Sequence, residues 1–462
     1  MKTNRVIFIT LVLVVLVGTT SVDAASLNNM AANQRWTVQL FKGGENGVRN
    51  LSTAFVGTFQ TPILSYSKVG DHYIHLAHAA TAAVPGNCGP NNKWHCGQWL
   101  YGNLVPGTLS PMATMQKTDT HLLLWAFQTV SMIRSTTIEL KNDMSYYTYS
   151  QQDLLQLNKF GGTLVGTPSL RIWGGRYQMA ATIRDNTDLY GYKLVYMDSA
   201  FSSNTSCLDG ASQYQCDVID QSYGLNSMGA PSLQVAPDGS VGIAYYKSGA
   251  GLMYAYPHRS SPLVPSNCGP GGNYWRCISI FADVGTSAIG KDVKLAVGAT
   301  GSNMDIAFTF GNTSFGKYLF HAGFVGSDGN CGTDLNYLGV SMYMWKCNLI
   351  AFLGILDRSY SIAVDPQGYS VIAYEYALTD DSPVDLYLAY PNARVGIAGP
   401  GWMEQQIDGA PSPLVDTGAQ AALSLNSAGL GFIGYLQEED YELPDLKITW
   451  QQFGNFLPLI KR

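Results

Sequence analysis

Charged side chains are scarce in this sequence. Asp, Glu, Lys and Arg make up only 13% of the 462 residues, and acidic residues outnumber basic ones by 33 to 27. A protein that binds nucleic acid needs a basic surface that displaces counterions from the phosphates. The net charge of −6 therefore argues against nucleic acid as a partner. Aromatic residues reach 12% of the chain, which excludes a disordered segment of low hydrophobicity.

Long apolar runs are also missing. The most apolar stretch, residues 6–18, is too short to span a bilayer and has the length of a signal-peptide core. Lys2 and Arg5 precede this stretch, and residues 22–24 place small residues before a cleavage site. We therefore predict a signal peptide over residues 1–24, with an uncleaved anchor as the alternative. No later segment predicts a membrane span.

Familiar enzyme motifs are absent. The chain has no Gly-x-Ser-x-Gly elbow, no phosphate-binding P-loop and no His-Glu-x-x-His segment. Carboxylate runs occur at Asp380-Asp381 and Glu438-Glu439-Asp440. Such loops bind Ca²⁺ or a cationic partner in some proteins, and in others they are only solvated. The sequence therefore predicts no cofactor, with Ca²⁺ at these loops as the alternative. Catalytic residues stay unassigned.

An internal repeat determines the predicted fold. An aromatic residue stands two positions before the second cysteine of each close cysteine pair, at Trp94, Tyr214, Trp275 and Trp345. Trp36 and Trp402 lie in similar segments without the cysteine, and a degenerate copy falls near Leu154. The repeat is about 60 residues long and occurs seven times, which is typical of a repeat architecture.

Each copy contains four short segments of alternating or apolar character, separated by Gly, Pro, Asp and Asn turns. The fourth and sixth copies are the clearest, with segments at 231–237, 241–246, 252–256 and 275–280, and at 361–368, 370–376, 386–391 and 402–408. Such segments predict antiparallel strands. Four strands in each of seven copies predict an all-β fold, a seven-bladed β-propeller.

The ends of the chain predict how the ring closes. The last copy has only three strand segments, at 421–427, 431–436 and 446–452, whereas residues 35–41 form a lone fourth strand. We predict that the N-terminal strand completes the last blade, which removes exposed sheet edges. The domain then spans residues 25–452, followed by a tail over 453–462. A linear array of sheets or a two-sheet sandwich is the alternative.

The eight cysteines form four close pairs. Each pair lies between the third and fourth segments of its copy: Cys88 with Cys96, Cys207 with Cys216, Cys268 with Cys277, and Cys331 with Cys347. We predict four disulfides, since pairs in different blades could not converge on one zinc ion. None has the Cys-x-x-Cys spacing of redox catalysis. Disulfides indicate a secreted, extracellular or cell-surface protein.

Two further sets of residues are weak candidates for sites. His78, His258 and His321 each stand ten residues before the first cysteine of their pair. They are predicted either to form equivalent ligand-binding sites, one per blade, or to be repeated polar residues that close a strand. Three sequons, at Asn50, Asn204 and Asn312, are candidate glycosylation sites in a eukaryotic host.

The segments PSLQVAPDGSVGIAYY at 231–246 and SIAVDPQGYSVIAYEY at 361–376 resemble repeats of secreted propellers of the broad sialidase-like and lectin-like group. The resemblance covers most of the chain after residue 24 and implies a propeller that acts on glycans. Sialidases carry Asp-boxes, and no segment here matches that motif. The resemblance therefore implies no catalytic residues for this chain.

Three functions are compatible with these observations. The first is a secreted binding protein, lectin-like, whose exposed aromatic side chains hold an extracellular glycan or protein. The second is an extracellular glycoside hydrolase or lyase, with its site at the central mouth of the ring. The third is a structural or adhesive component of a cell surface or coat. The sequence favours binding over catalysis. Its oligomeric state is not predicted.

Overall fold

The computed structural model describes residues 35–452 except for several internal segments, which are residues 43–46, 58, 101–104, 106–107, 187–190, 200–204, 210–213, 224–226, 259–261, 270–273, 285–287, 291, 299–303, 313, 315, 336–338, 355–357, 378–383, 399, 410–414 and 440–443. The predicted signal peptide, the predicted C-terminal tail, and the candidates Asn204, Asp380, Asp381 and Asp440 lie outside the described residues.

The described chain is built almost entirely of strands. The first ten are β1 (Arg35–Lys42), β2 (Val48–Val56), β3 (Thr61–Lys68), β4 (Tyr73–Ala79), β5 (Trp94–Leu100), β6 (Ala113–Gln116), β7 (Thr120–Gln128), β8 (Met132–Lys141), β9 (Tyr146–Gln156) and β10 (Gly162–Trp173). The next ten are β11 (Arg176–Asp185), β12 (Tyr192–Asp198), β13 (Gln215–Ser222), β14 (Ser232–Val235), β15 (Val241–Lys247), β16 (Gly251–Pro257), β17 (Trp275–Phe281), β18 (Ala288–Ile289), β19 (Lys294–Val297) and β20 (Met304–Asn312). The last ten are β21 (Gly316–Phe324), β22 (Cys331–Leu335), β23 (Ser341–Gly354), β24 (Tyr360–Val364), β25 (Ser370–Tyr376), β26 (Asp385–Pro391), β27 (Trp402–Asp408), β28 (Val415–Leu425), β29 (Gly431–Glu439) and β30 (Asp445–Gln452). Short 3₁₀ turns occur at Pro90–Asn92, Leu157–Lys159 and Asn392–Val395.

The strands form seven antiparallel sheets, so the predicted seven-bladed β-propeller is confirmed. We number the blades in chain order: blade 1 holds β2–β5, blade 2 β6–β9, blade 3 β10–β13, blade 4 β14–β17, blade 5 β18–β23, blade 6 β24–β27, and blade 7 β28–β30 with β1. The first strand of each blade is its inner strand. We call the side on which the inner strands begin the upper face, and the opposite side the lower face.

The N-terminal strand closes the ring as predicted. Strand β1 pairs antiparallel with β30, in a register that runs from Arg35 opposite Gln452 to Val38 opposite Thr449. The sheet of blade 7 therefore has the order β1-β30-β29-β28. Pairing of the two ends of the chain covers the edge that β30 would otherwise expose.

Blade 5 departs from the four-strand pattern. Its inner position is divided between two short strands, β18 and β19, which both pair with β20. An additional strand, β22, pairs with the outer strand β23 and begins at Cys331. The insertion explains why Cys331 and Cys347 are separated by 16 residues, whereas the other pairs are separated by 8 or 9.

The core is divided into seven clusters of buried apolar side chains, one at each junction between neighbouring blades. The repeated tryptophans of the outer strands belong to these junctions, and each packs on a ring of the preceding blade. The ring centroids lie 5.8 Å apart for Trp94 and Phe432, 5.1 Å for Trp275 and Tyr196, 5.0 Å for Trp345 and Tyr254, and 4.9 Å for Trp402 and His321.

All four predicted disulfides are present, and each joins the connection between a third and a fourth strand to the fourth strand itself. An Asn precedes the first cysteine in three of them, at Asn87, Asn267 and Asn330. Its side-chain amide donates to the carbonyl of the second cysteine and its oxygen accepts from that cysteine's backbone N–H, as in Asn267 with Cys277 at 2.7 Å each. The side-chain amide thus pairs like a backbone peptide.

One predicted burial pattern is confirmed only in part. Residues 349–356 are apolar and predict a buried strand, and β23 continues to Gly354. Ile350, Ala351 and Leu353 are buried, whereas Leu349 is 56% exposed and Phe352 is 38% exposed. The strand is the outer fourth strand of the blade, so one of its faces has no neighbouring blade to cover it at these positions.

Candidate functional site

A cavity runs along the axis of the ring, where the inner parts of all seven blades meet. Its volume is about 510 Å³, and its wall combines apolar side chains with hydroxyl, amide and charged groups. The polar residues of the wall are Asn50, Ser52, Thr53, Thr167, Ser169, Arg171, Ser232, Gln234, Asp292, Lys294, Ser359, Tyr360, Ser361, Gln420 and Ser424. This volume falls within the range of about 300–1,000 Å³ typical of small-molecule sites.

Several wall hydroxyls join one blade to the next. In four junctions a serine of one inner strand accepts a hydrogen bond from a backbone N–H in the inner part of the following blade. The pairs are Ser52 with Met112 (3.0 Å), Ser169 with Leu233 (2.9 Å), Ser232 with Leu295 (2.9 Å) and Ser361 with Leu423 (3.1 Å). These hydroxyls therefore stabilise the ring.

Arg171 is the most unusual group in the cavity. Its Nε donates to Oε1 of Gln234 at 2.8 Å, and its Nη1 donates to the carbonyl of Leu170 at 2.7 Å. Gln234 is itself held by the carbonyl of Leu295, at 2.7 Å from Nε2. Desolvation lowers the pKa of Arg171 to about 10, so the guanidinium is still charged at neutral pH. No carboxylate of the described chain forms an ion pair with it.

A second pair of charges stands at the upper end of the cavity. Lys294 and Asp292 form an ion pair of 2.7 Å beside the start of β19, and both are partly exposed. The backbone carbonyl of Asp292 accepts a hydrogen bond from the hydroxyl of Tyr360 in blade 6. The two charges neutralise each other, and the tyrosine ties blade 5 to blade 6.

Four charged residues gather near the upper face where blades 6 and 7 meet. Arg358 is 6% exposed, its Nη1 lies 3.8 Å from the Asp416 carboxylate, and its buried Nε has no hydrogen-bond partner among the described residues. Glu375 is buried, and its Oε2 accepts from the backbone N–H of Ser359 at 2.6 Å. Burial raises the pKa of Glu375 to about 7, although Arg358 opposes this shift. Desolvation and the charge of Asp416 raise the pKa of Glu438 as well.

The three candidate histidines lie in blades 1, 4 and 5 and are not brought together. In blade 1 an alanine pairs with the second cysteine, and His78 is the next residue after that alanine. His78 itself pairs with His95. In their own blades, His258 lies three residues after the alanine that pairs with the second cysteine, and His321 lies one residue before it. Their equal distance from the first cysteine therefore corresponds to three different places on the blade.

Each of these histidines already has partners. His78 is buried and contacts the carbonyl of its neighbour Ala79 at 2.9 Å, and desolvation lowers its pKa. His258 contacts the carbonyl of Val264 at 2.8 Å. His321 is buried and lies 2.8 Å from the Asp305 carboxylate. Ligand binding by these residues stays a prediction.

The other candidate groups are only partly described. Glu438 ends up near Asp416 at the junction of blades 6 and 7, where Val384 and Asp416 also form a backbone bridge. Among the described residues, no group of three His, Cys, Asp or Glu side chains could hold a metal ion. Asn50 lines the cavity, and its amide donates to Ser67 at 3.1 Å. Asn312 accepts from the backbone of Ser314 at 2.9 Å.

Sequence reasoning assigned no role to the two most perturbed charged groups, Arg171 and Glu375. Glu375 is a single acidic residue inside the strand segment SVIAYEY, and nothing in the alternation of apolar and polar residues distinguishes it from a solvent-facing residue. Arg171 lies in a segment whose neighbours read as an ordinary strand. For Glu375, a comparison of the repeat copies gives the one available signal. The corresponding second strand of the fourth copy, VGIAYY, has tyrosine in place of the glutamate.

The chain matches no protein-family model and no curated protein sequence. It is similar to solved structures of low identity. A fucose-specific lectin from Aleuria aurantia is 12% identical over 81% of this chain and 99% of its own, with a TM-score of 0.40. An α-L-arabinofuranosidase from Fusarium graminearum is 10% identical over 89% of this chain and 97% of its own, with a TM-score of 0.41. The polysaccharide lyase Uly1 is 9% identical over 89% of this chain and 97% of its own, with a TM-score of 0.42. These similarities are too low to transfer a ligand or an activity.

Proposed function

We propose that the protein is an extracellular carbohydrate-binding propeller and that its ligand enters the axial cavity. The observation that carries the proposal is the cavity itself, about 510 Å³ in volume and lined by amide, hydroxyl and guanidinium groups among apolar side chains. A sugar needs this combination, because its hydroxyls require directional partners while its ring carbons pack on apolar surface.

Export is supported by the disulfides. The four disulfides are of a kind that persists in oxidising compartments. No helix in the described part of the chain has the length and apolar character to cross a membrane. Secretion and signal-peptide cleavage are part of the proposal and are tested by N-terminal sequencing of the exported chain.

A glycan-binding screen with the oxidised chain, with and without Ca²⁺, tests the proposed function. We expect saturable binding to one glycan family, with the glycan recovered intact. Thr167→Trp places a large ring in the wall of the cavity and should abolish binding. Thr163→Trp is the matched control, because Thr163 is exposed on the same strand and lies outside the wall. Equal binding by both variants would exclude the cavity as the site.

Glycan cleavage is a second candidate, favoured by Glu375. A carboxyl group with a pKa of about 7 is suited to donate a proton at neutral pH, as a general acid must. The group lies behind Ser359, which belongs to the cavity wall. A bound glycan that is shortened by the wild-type protein and left intact by Glu375→Gln would favour this function. A glycan that stays intact with both proteins favours binding alone.

A further inference from the structure

We propose that the axial cavity binds the carboxylate of an acidic sugar through Arg171, with Gln234 as the positioning residue. The proposal rests on the proposed carbohydrate-binding function and names the class of sugar. Its starting point is the charge of the wall. Among the described residues that line the cavity, Asp292 is the only one with a carboxylate, and this group is paired with Lys294 at 2.7 Å. The charge of Arg171 is left without a counter-ion in the described chain.

The guanidinium is held in place by groups that do not neutralise it. Its two described hydrogen bonds go to a side-chain amide and to a backbone carbonyl. The carbonyl of Leu295 fixes Gln234 from the other side, so the amide oxygen of Gln234 faces Arg171. Two of the five N–H groups of Arg171 are thus used, and Nη2 makes no hydrogen bond within the described residues. A planar guanidinium fork matches a carboxylate in two parallel hydrogen bonds.

The partial burial of Arg171 in the cavity wall makes an anion favourable. A charge removed from water without a partner raises the free energy of the folded protein. Desolvation is the cause that lowers the pKa of Arg171, and no nearby carboxylate opposes it. An anion in the cavity would supply the missing counter-charge where water screens the interaction little. Ligand-free protein is therefore prepared for a negative group at this position.

The size and chemistry of the cavity favour a sugar acid over a small free carboxylate. The wall offers neutral amides at Asn50, Gln234 and Gln420, and apolar side chains such as Leu109 and Ile362. A free carboxylate would contact only Arg171, whereas a sugar acid would also present hydroxyls and ring carbons to the remainder of the wall. A sugar acid therefore uses more of the cavity.

Calorimetric titration with uronic-acid disaccharides tests the inference. Each disaccharide is paired with the neutral disaccharide that has a hydroxymethyl group in place of the carboxylate, and sodium acetate serves as the free carboxylate. We expect one acidic disaccharide to bind about 10- to 100-fold more tightly than its neutral counterpart. R171Q should lose this preference, and R171K should keep only part of it, because lysine retains the charge without the fork.

The control variant is R134Q, which removes the same charge from a residue of blade 2 that pairs with Asp153 and lies outside the cavity wall. It should bind the acidic disaccharide like the wild-type protein. Equal affinity for acidic and neutral disaccharides would overturn the inference and leave the proposed function standing. Acetate bound as tightly as the disaccharide, or an unchanged preference in R171Q, would also overturn it. Absence of any sugar binding would overturn both proposals. The wild-type comparison needs no variant, so it decides even if R171Q does not fold.

Discussion

The buried Arg276 and the partly buried Arg171 are held in opposite ways. Arg276 of blade 4 is 5% exposed and forms a two-nitrogen ion pair with Asp334 of blade 5. The hydroxyl of Tyr256 donates to the second oxygen of Asp334 at 2.9 Å. Arg171, in contrast, contacts only neutral groups in the described chain. Arg276 therefore stabilises the junction between two blades, whereas Arg171 leaves a charge available at the axis of the ring.

This contrast predicts opposite effects on stability. R276Q should lower the free energy of unfolding by about 3–5 kcal/mol, because it leaves the buried Asp334 carboxylate without a counter-charge. R171Q should change it by less than about 1 kcal/mol, since the substitution removes an uncompensated charge together with its two hydrogen bonds. Urea denaturation of the oxidised protein measures both values. A larger loss in R171Q than in R276Q would contradict the assignment of Arg171 as an unpaired charge.

Glu375 predicts a pH dependence of stability with a defined sign. Its pKa is about 7 in the folded protein, above the usual value of 4.5. Between these values the folded protein holds a proton that the unfolded chain has released, so this group makes stability fall as pH rises, by at most about 1.4 kcal/mol per pH unit. E375Q should remove that part of the slope, and thermal unfolding between pH 4.5 and pH 8 measures it.

Glu139 provides the control of opposite sign. The hydrogen bond from the Thr120 hydroxyl lowers the pKa of Glu139, so the contribution of Glu139 to stability is present near neutral pH and is lost as pH falls below its ordinary range. E139Q should therefore change the acidic end of the profile and leave the interval between pH 5 and pH 7 unaltered. If E375Q and the wild-type protein have the same slope in that interval, Glu375 does not titrate as proposed.

At the scale of single elements, the connection between the third and fourth strands recurs as a unit. In blades 1, 4 and 5 it combines a disulfide, an Asn that pairs with the second cysteine, and a glycine after the first cysteine, whereas blade 3 has the disulfide alone. In blade 5 that glycine, Gly332, has a φ of +63°, and a Cβ there would lie 2.6 Å from the ring of Trp345. Only glycine suits both the conformation and the close ring. Glycine is therefore required at this position of blade 5.

The asparagine of this unit should matter most in blade 4. Asn267 makes its two hydrogen bonds to Cys277 in a partly buried setting, whereas those of Asn87 and Asn330 are exposed. N267A should lower the free energy of unfolding by about 1–3 kcal/mol, since it leaves a backbone N–H and carbonyl unpaired. N87A and N330A are matched variants with smaller expected losses. Urea denaturation ranks the three, with thiol titration to verify intact disulfides. Equal losses would contradict the role of burial.

The strands themselves were largely predictable from the sequence, for a physical reason. In blades 4 and 6 the alternation of apolar residues and the positions of Asp-Gly and Gln-Gly turns coincide with β14–β17 and β24–β27. Local turn chemistry and the period of a pleated strand determine these bounds. Strand β22 was not predicted, because CGTDL has no apolar alternation and pairs only with the outer strand β23.

The candidate site was less predictable than the strands. Arg171 and Glu375 owe their shifted pKa values first to desolvation by the surrounding strands and blades. Gln234 of the next blade then holds the arginine, and the charges of Arg358 and Glu438 act on the glutamate. Sequence spacing does not reveal such contacts. The histidines show the converse, because a regular spacing of ten residues corresponds to three different registers once β-pairing is known.

At the scale of the whole molecule, the ring depends on one strand from the beginning of the chain. Removal of residues up to 42 would expose the edge of β30 and uncover Trp94, which packs on Phe41 at 5.5 Å. We expect the shortened protein to aggregate or to unfold at a lower temperature, because an unpaired edge strand is a template for association. Size-exclusion chromatography and thermal unfolding measure these effects.

Addition of a peptide with the sequence of β1, RWTVQLFK, should restore the stability of the shortened protein. A peptide with proline at the position of Thr37 is the control, because Thr37 faces Trp450 in the ladder and proline cannot donate a backbone hydrogen bond. Equal effects of both peptides, or a shortened protein as stable as the full chain, would contradict the role of β1 as the closing strand.

The pairing of Arg35 with Gln452 has a consequence for orientation. Strand β1 starts and strand β30 ends side by side at the lower face, on the side of the disulfide-linked connections. A support, a fusion partner or a cell wall joined through either end of the ring would therefore hold the propeller by the same side. Arg358, Glu375 and the upper opening of the cavity would then face away from the attachment, toward molecules in the surrounding solution.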